Sequence, residues 1–386
     1  MDTHHYSSRC FISSEADQLS PFRPLTYTDR NAARATSGNW IRCFEMKRQL
    51  NDLSLATLDV GSMPLQDDFD EDKRNVNRAI EDKVNAGLDY PCYPQLPGSP
   101  SKPMNMALQY LKPLSTTNPN IQIAGQEAHL LSDDIKEPAG PVGIERAEYF
   151  LTFLHDHALR TKGVKACVTG PFTLSSYLDL KNLMSCGASK PDIVRVLAGI
   201  LSRSCKRLSD LGFDLVSVDE PFLSVMLGRK GEVLFKYDEQ FVTEMLDRLL
   251  TQLSCFSAVH VCGRITPLVK SVLLESKADI VDHEFTAIQE NLNAYSKEEL
   301  EHANKFLAFG CVSSINPTVE SIDEVSTRLE KAVSLYGERL LVKPDCGLGG
   351  LLGTPDAYGI AQRKLCNMVT AAKMVHQRLP PPVRNN

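Results

Sequence analysis

His260-Val261-Cys262 puts an imidazole and a thiol two residues apart at the end of an apolar run, and the two-residue alternation of a strand turns both to one face. Two more groups of related chemistry follow: Glu284, which closes Asp282-His283-Glu284, and Cys346, within Lys343-Pro344-Asp345-Cys346-Gly347-Leu348-Gly349-Gly350. Two thiolates, one imidazole and one carboxylate make a donor set suited to zinc. Thiolate donors temper the Lewis acidity of zinc, so such a centre suits holding a substrate thiolate as nucleophile better than making hydroxide. The carboxylate is the exchangeable member and would leave the site open to substrate. Taken singly, each group also has a structural reading, as a packed thiol, a hydrogen-bonded imidazole or a charge at a strand end.

Two further segments offer complementary charge. Asp59-Val60-Gly61-Ser62-Met63-Pro64 contains a turn at Gly61 and Ser62 whose amides and hydroxyl suit a carboxylate. Ser217-Val218-Asp219-Glu220-Pro221 ends in two carboxylates. Asp219 shares a face with Ser217 and Leu215 and suits an ammonium, with Glu220 orienting Asp219 or the metal shell. An anion-binding turn facing an acidic pair fits an α-amino acid. A capping serine and a solvated acidic turn are the structural alternatives.

These residues need a scaffold that brings distant segments together. Apolar runs at 55–60, 88–92, 164–169, 213–218, 258–262, 279–284, 306–311 and 340–343 are predicted strands. Amphipathic stretches at about 143–161, 191–211, 238–253, 317–336 and 355–379 are predicted helices between them. This alternation predicts an α/β fold, a (β/α)8 TIM barrel over residues 51–386. No Gly-rich dinucleotide loop follows the first strand, which argues against a doubly wound sheet. All the candidate segments lie at strand ends, where barrels place their active sites. About 70 residues separate the second and third strands, opening on Pro94-Gln95-Leu96-Pro97-Gly98-Ser99-Pro100, and predict an insertion over about 95–140 on the catalytic side. Residues 1–50, rich in Ser, Thr, Arg and Asn, read as an N-terminal extension.

Composition narrows the function classes. With 386 residues, 42% hydrophobic and 23% charged, the chain is an ordinary globular protein with ample core. A net charge of −6 argues against nucleic-acid binding, and no run approaches the roughly 18 apolar residues of a membrane span. Eleven cysteines, an odd number, behind a start without an apolar leader segment predict a cytoplasmic protein with reduced thiols.

Together these residues resemble the catalytic barrel of the cobalamin-independent methionine synthase family, within the superfamily that includes uroporphyrinogen decarboxylase. The resemblance runs from about residue 55 to 350. It puts the family's zinc ligands on His260, Cys262, Glu284 and Cys346, its Asp-Glu-Pro motif on Asp219-Glu220-Pro221 and its Ile-Gly-Ser segment on Val60-Gly61-Ser62. It implies methyl transfer to the zinc-held sulfur of homocysteine, giving methionine. Gly61, Ser62, Asp219 and Glu220 would bind substrate, and the zinc-activated thiol itself would be the only catalytic group. The family's substrate-binding Glu after the second strand has no match, because that region reads Tyr93-Pro94-Gln95-Leu96-Pro97. Its Asp-Ile-His-Ser-Pro stretch appears as Ser313-Ser314-Ile315-Asn316-Pro317, and the length leaves no room for a second, N-terminal barrel. These departures resemble the short single-barrel core synthases of archaea and anaerobic bacteria, which implies a methylated corrinoid as donor, carried on a corrinoid protein. The rival within the superfamily is a coenzyme M or other thiol methyl- or alkyltransferase; Asp219 favours homocysteine, since coenzyme M has no ammonium. A closed, non-catalytic zinc module is the rival from another class.

Overall fold

The computed structural model describes residues 53–64, 73–96, 98–99, 102–103, 106–132, 135–179, 190–228 and 235–379, so the extension expected over 1–50 lies outside the described residues. Seven strands pair in parallel in the order Ala56–Thr57, Leu340–Pro344, Phe306–Val312, Ile280–His283, Phe256–His260, Leu215–Asp219 and Lys165–Thr169. Residues 90–92 close the ring: Tyr90 bridges Leu58 on one side, and Cys92 bridges Lys165 on the other, both in parallel. The result is the eight-stranded α/β barrel that the eight apolar runs predict. The second strand is reduced to two bridges, and Pro91 between them has no N–H to give a ladder.

The strands read as apolar runs because both faces are buried. Outward residues such as Val168, Val216, Val259, Val281 and Val342 join the large core shared with the helices. Inward residues form a separate cluster that includes Leu58, Tyr90, Leu215, Phe256, Ile280, Phe306 and Leu341. Burying each such side chain stabilises the barrel by about 1.5–3 kcal/mol. Two residues further along the strands the interior turns polar. Leu215 gives way to Ser217 and Asp219, Ala258 to His260, Ile280 to Asp282 and Leu341 to Lys343. The apolar cluster is the floor, and the polar ring above it is where chemistry can occur.

Helices around the barrel shift the predicted ends by a few residues. Lys190–Leu211 buries Ile193, Leu197, Ile200, Leu201, Cys205 and Leu208 along the predicted face. Ile322–Tyr336 starts later than 317, because Ser321 and Glu324 form a capping box there. The region between the second and third strands carries structure of its own. An antiparallel pair, Gly98–Ser99 with Lys102–Pro103, precedes helix Leu108–Thr117, and a hairpin of Ile121–Ala124 and Glu127–Leu130 takes Leu178–Asp179 as a third, parallel strand. Among the described residues no helix is long and apolar enough to cross a membrane.

Candidate metal centre and adjoining pocket

Strand Phe256–His260 ends on the imidazole, and Cys262 stands in the loop just beyond it. Cys346 follows strand Leu340–Pro344. The three side chains converge: His260 Nε2 lies 3.1 Å from Cys262 Sγ and 3.5 Å from Cys346 Sγ, and the two sulfurs are 3.4 Å apart. They are a group that could hold a metal ion. The carboxylate of Glu284 accepts a hydrogen bond from the Gly263 amide, one residue past Cys262, and is not part of that group.

Supporting groups fix the arrangement. Asp282 Oδ1 lies 2.7 Å from His260 Nδ1 and 2.7 Å from Lys343 Nζ, with all three side chains buried. Nδ1 is thereby engaged, and Nε2 is left to the thiols. Asp345, next to Cys346, accepts N–H bonds from Phe285 at 2.9 Å and from Thr286 and Ala287 at 3.0 Å, and a further bond from the Thr286 hydroxyl. It ties the Cys346 loop to the turn that follows Glu284.

Charge follows this geometry. Burial alone would lower His260, but the Asp282 carboxylate outweighs it and carries the imidazole up to about 10. Burial would raise Asp282, and Lys343 with His260 reverses that and holds it well below the usual carboxylate range. The hydrogen bond between the thiols pulls Cys346 down, with help from His260, and pushes Cys262 up. Two convergent thiols, an imidazole oriented by a carboxylate and a nearby glutamate fit zinc.

The predicted pocket residues adjoin this cluster. Gly61 has φ +135°, a conformation that L side chains rarely adopt, and a Cβ there would meet Cys92 Sγ, Cys167 Sγ and Gln95 Oε1 at 3.3 Å. Ser62 touches the metal-side loop directly: Gly349 N–H donates to Ser62 O at 3.2 Å and to Ser62 Oγ at 3.3 Å. Asp219 pairs with His260 in strand register and accepts the Ser217 hydroxyl at 2.6 Å. Burial raises its pKa, against the pull of Lys165 and His260. Glu220 is used differently from the expectation that it orients Asp219 or the metal shell. Its two oxygens accept the amides of Phe172 at 2.9 Å and Thr173 at 2.7 Å, at the start of helix Pro171–Ser176, and desolvation pushes it up to about 7.

Three residues were not singled out from sequence. Asp282 and Lys343 were visible only as charges at strand ends. The available signal was their inward position on strands buried on both faces. Gln95 pairs with Ser62 in a parallel bridge and is 9% exposed, and its carboxamide has no hydrogen-bond partner among the described residues.

The profile described as the catalytic domain of cobalamin-independent synthases matches residues 140–374. The methionine synthase of Methanothermobacter thermautotrophicus is 28% identical over 308 residues, which are 79% of this chain and 90% of that protein. The methionine synthase of Methanocaldococcus jannaschii is 24% identical over 322 residues, 80% of this chain and 90% of that one. Among solved structures, the B12-independent methionine synthase from Shewanella sp. W3-18-1, in complex with selenomethionine, superposes with a TM-score of 0.60 at 19% identity, covering 84% of this chain and 98% of that one. A methyltransferase from Methanosarcina mazei gives 0.55 at 13% identity, covering 78% and 86%. These two likenesses bear on the fold.

Proposed function

The chain belongs to the family of cobalamin-independent synthase catalytic domains, and from that premise we propose that this methyltransferase makes methionine by moving a methyl group onto homocysteine sulfur at a zinc centre. The observation that carries the reading is the convergence of His260 Nε2, Cys262 Sγ and Cys346 Sγ beside the Gly61–Ser62 turn. His260, Cys262 and Cys346 would hold the metal, with Glu284 as the exchangeable fourth ligand. A bound zinc ion would lower the pKa of the acceptor thiol and keep its sulfur nucleophilic near neutral pH.

The chain's own residues position the acceptor. Ser62 and the amides of its turn take the carboxylate, and Asp219 takes the ammonium. The carboxamide of Gln95, which has no hydrogen-bond partner among the described residues, faces the same turn and adds a neutral contact. Glu220, which accepts two helix amides, ties helix Pro171–Ser176 to the end of strand Leu215–Asp219. No acid is needed beyond this, because departure of the methyl group from cobalt requires no proton.

For the donor, the reading is a methylated corrinoid presented by a corrinoid protein. Two observations support it: the Ser313-Ser314-Ile315-Asn316-Pro317 stretch lacks the histidine that the resembling family has there, and the chain covers 90% of archaeal relatives of similar extent. A corrinoid in this role would be a consumed substrate and not a resident cofactor. Anaerobic incubation of zinc-loaded protein with homocysteine and either methylcobalamin or methyl-folate tests the whole reading. Loss of the methyl–cobalt absorbance with formation of methionine is expected, together with about one zinc per chain, and Cys346→Ser should lose both. Full activity in a zinc-free Cys346→Ser protein, or preference for coenzyme M over homocysteine in competition, would overturn it.

A further inference from the structure

Lys83 stands near the end of helix Lys73–Asn85, wholly buried. Its Nζ lies 2.7 Å from Asp59 Oδ2, 2.7 Å from Gly61 O and 2.9 Å from Cys92 O, so each of its three donors has one acceptor. The other oxygen of Asp59 accepts the Cys92 amide at 2.7 Å. The ion pair with Asp59 is sufficient to balance the buried charge. The bond to Gly61 O is additional, and it acts on the peptide unit that joins Gly61 to Ser62.

In a planar trans peptide the C=O and the N–H point in opposite directions. Gly61 O is drawn towards Lys83 and also accepts the Gln95 amide at 3.2 Å. Ser62 N–H therefore faces the other way, towards the Cys346 loop, where a Cβ on Gly347 would lie 3.3 Å from Ser62 N. Among the described residues that N–H has no acceptor. An ammonium on the carbonyl oxygen also polarises the peptide and strengthens its N–H as a donor to an anion. We infer that Lys83 is a positioning residue for the acceptor's α-carboxylate, acting through the Gly61–Ser62 peptide that it aims and polarises. This rests on the proposed function, in which that turn receives the carboxylate.

The test is titration of zinc-loaded protein with homocysteine and, by competition at millimolar concentration, with 3-aminopropane-1-thiol, which is homocysteine without its carboxylate. In Lys83→Met the Kd of homocysteine should rise about tenfold, the loss expected for a hydrogen bond to a charged group. Zinc content and the Kd of 3-aminopropane-1-thiol should stay unchanged. Should the buried Asp59 prevent that variant from folding, the double variant Asp59→Asn/Lys83→Met removes both charges and is expected to give the same split. Unchanged homocysteine binding, or equal weakening of both thiols, would overturn the role of Lys83. Wild-type protein that binds zinc but not homocysteine would instead overturn the proposed function itself.

Discussion

Asp282 decides which nitrogen His260 offers to the cluster. With Nδ1 engaged at 2.7 Å, only Nε2 faces the sulfurs. Asp282→Asn keeps the shape but removes the charge that Lys343 and His260 share, so zinc affinity should fall about 10- to 100-fold. Competition with a chromophoric chelator measures this, and a change under twofold would show that the carboxylate is incidental. The grouping of His260, Cys262 and Cys346 was legible from sequence only through their joint placement at strand ends, because each alone also reads as a packed thiol or a hydrogen-bonded imidazole. The Asp282–His260 bond was not legible, since it depends on the register between two strands 22 residues apart, which no local pattern encodes. Gln95 was overlooked for a related reason: an amide in a proline-rich stretch looks like loop until its pairing with Ser62 is seen.

At the scale of elements, the loop after the last strand carries both a proposed metal ligand, Cys346, and the glycines that touch Ser62 of the proposed amino-acid site. Any Cβ on Gly347 would lie 2.0 Å from Ser62 Oγ and 3.1 Å from Ser62 Cβ. Gly347→Ala should therefore cost about 1–3 kcal/mol of stability and weaken zinc and homocysteine binding together. Thermal melting with parallel titrations checks this, and weakening of only one ligand would refute the coupling. Glu220 gives a pH signature at the helix it caps. Its pKa is about 7 when folded and about 4.3 in an unfolded chain, so the folded state keeps a proton that the unfolded state has released. Stability from this group is full below the unfolded value and is lost as pH rises through about 7. The melting temperature should fall over that interval, and Glu220→Gln should fall less; equal slopes would remove the assignment. The strands were readable as apolar runs, but helix Lys73–Asn85 was not, because only Val76, Ala79, Ile80 and Val84 of its 13 residues are apolar and a lysine, Lys83, is buried as fully as Ala79 and Ile80.

At the scale of the molecule, the number of strands, their order and their burial follow from the eight apolar runs, and the bridges at Tyr90 and Cys92 complete the ring. The floor packed by residues such as Leu58, Tyr90, Phe256, Ile280 and Phe306 has a kinetic consequence. A vessel sealed at one end has a single doorway, shared by the acceptor, the methyl donor and both products. In the proposed arrangement homocysteine would lie deeper, so it would enter before the donor, and methionine would leave only after the spent donor has cleared the opening. Methionine should accordingly inhibit competitively against homocysteine and non-competitively against the donor. Initial-rate patterns decide this: competition between methionine and the donor would mean independent routes. The barrel would then operate as a last-in, first-out chamber, with the order of turnover set by the side chains that close its far end.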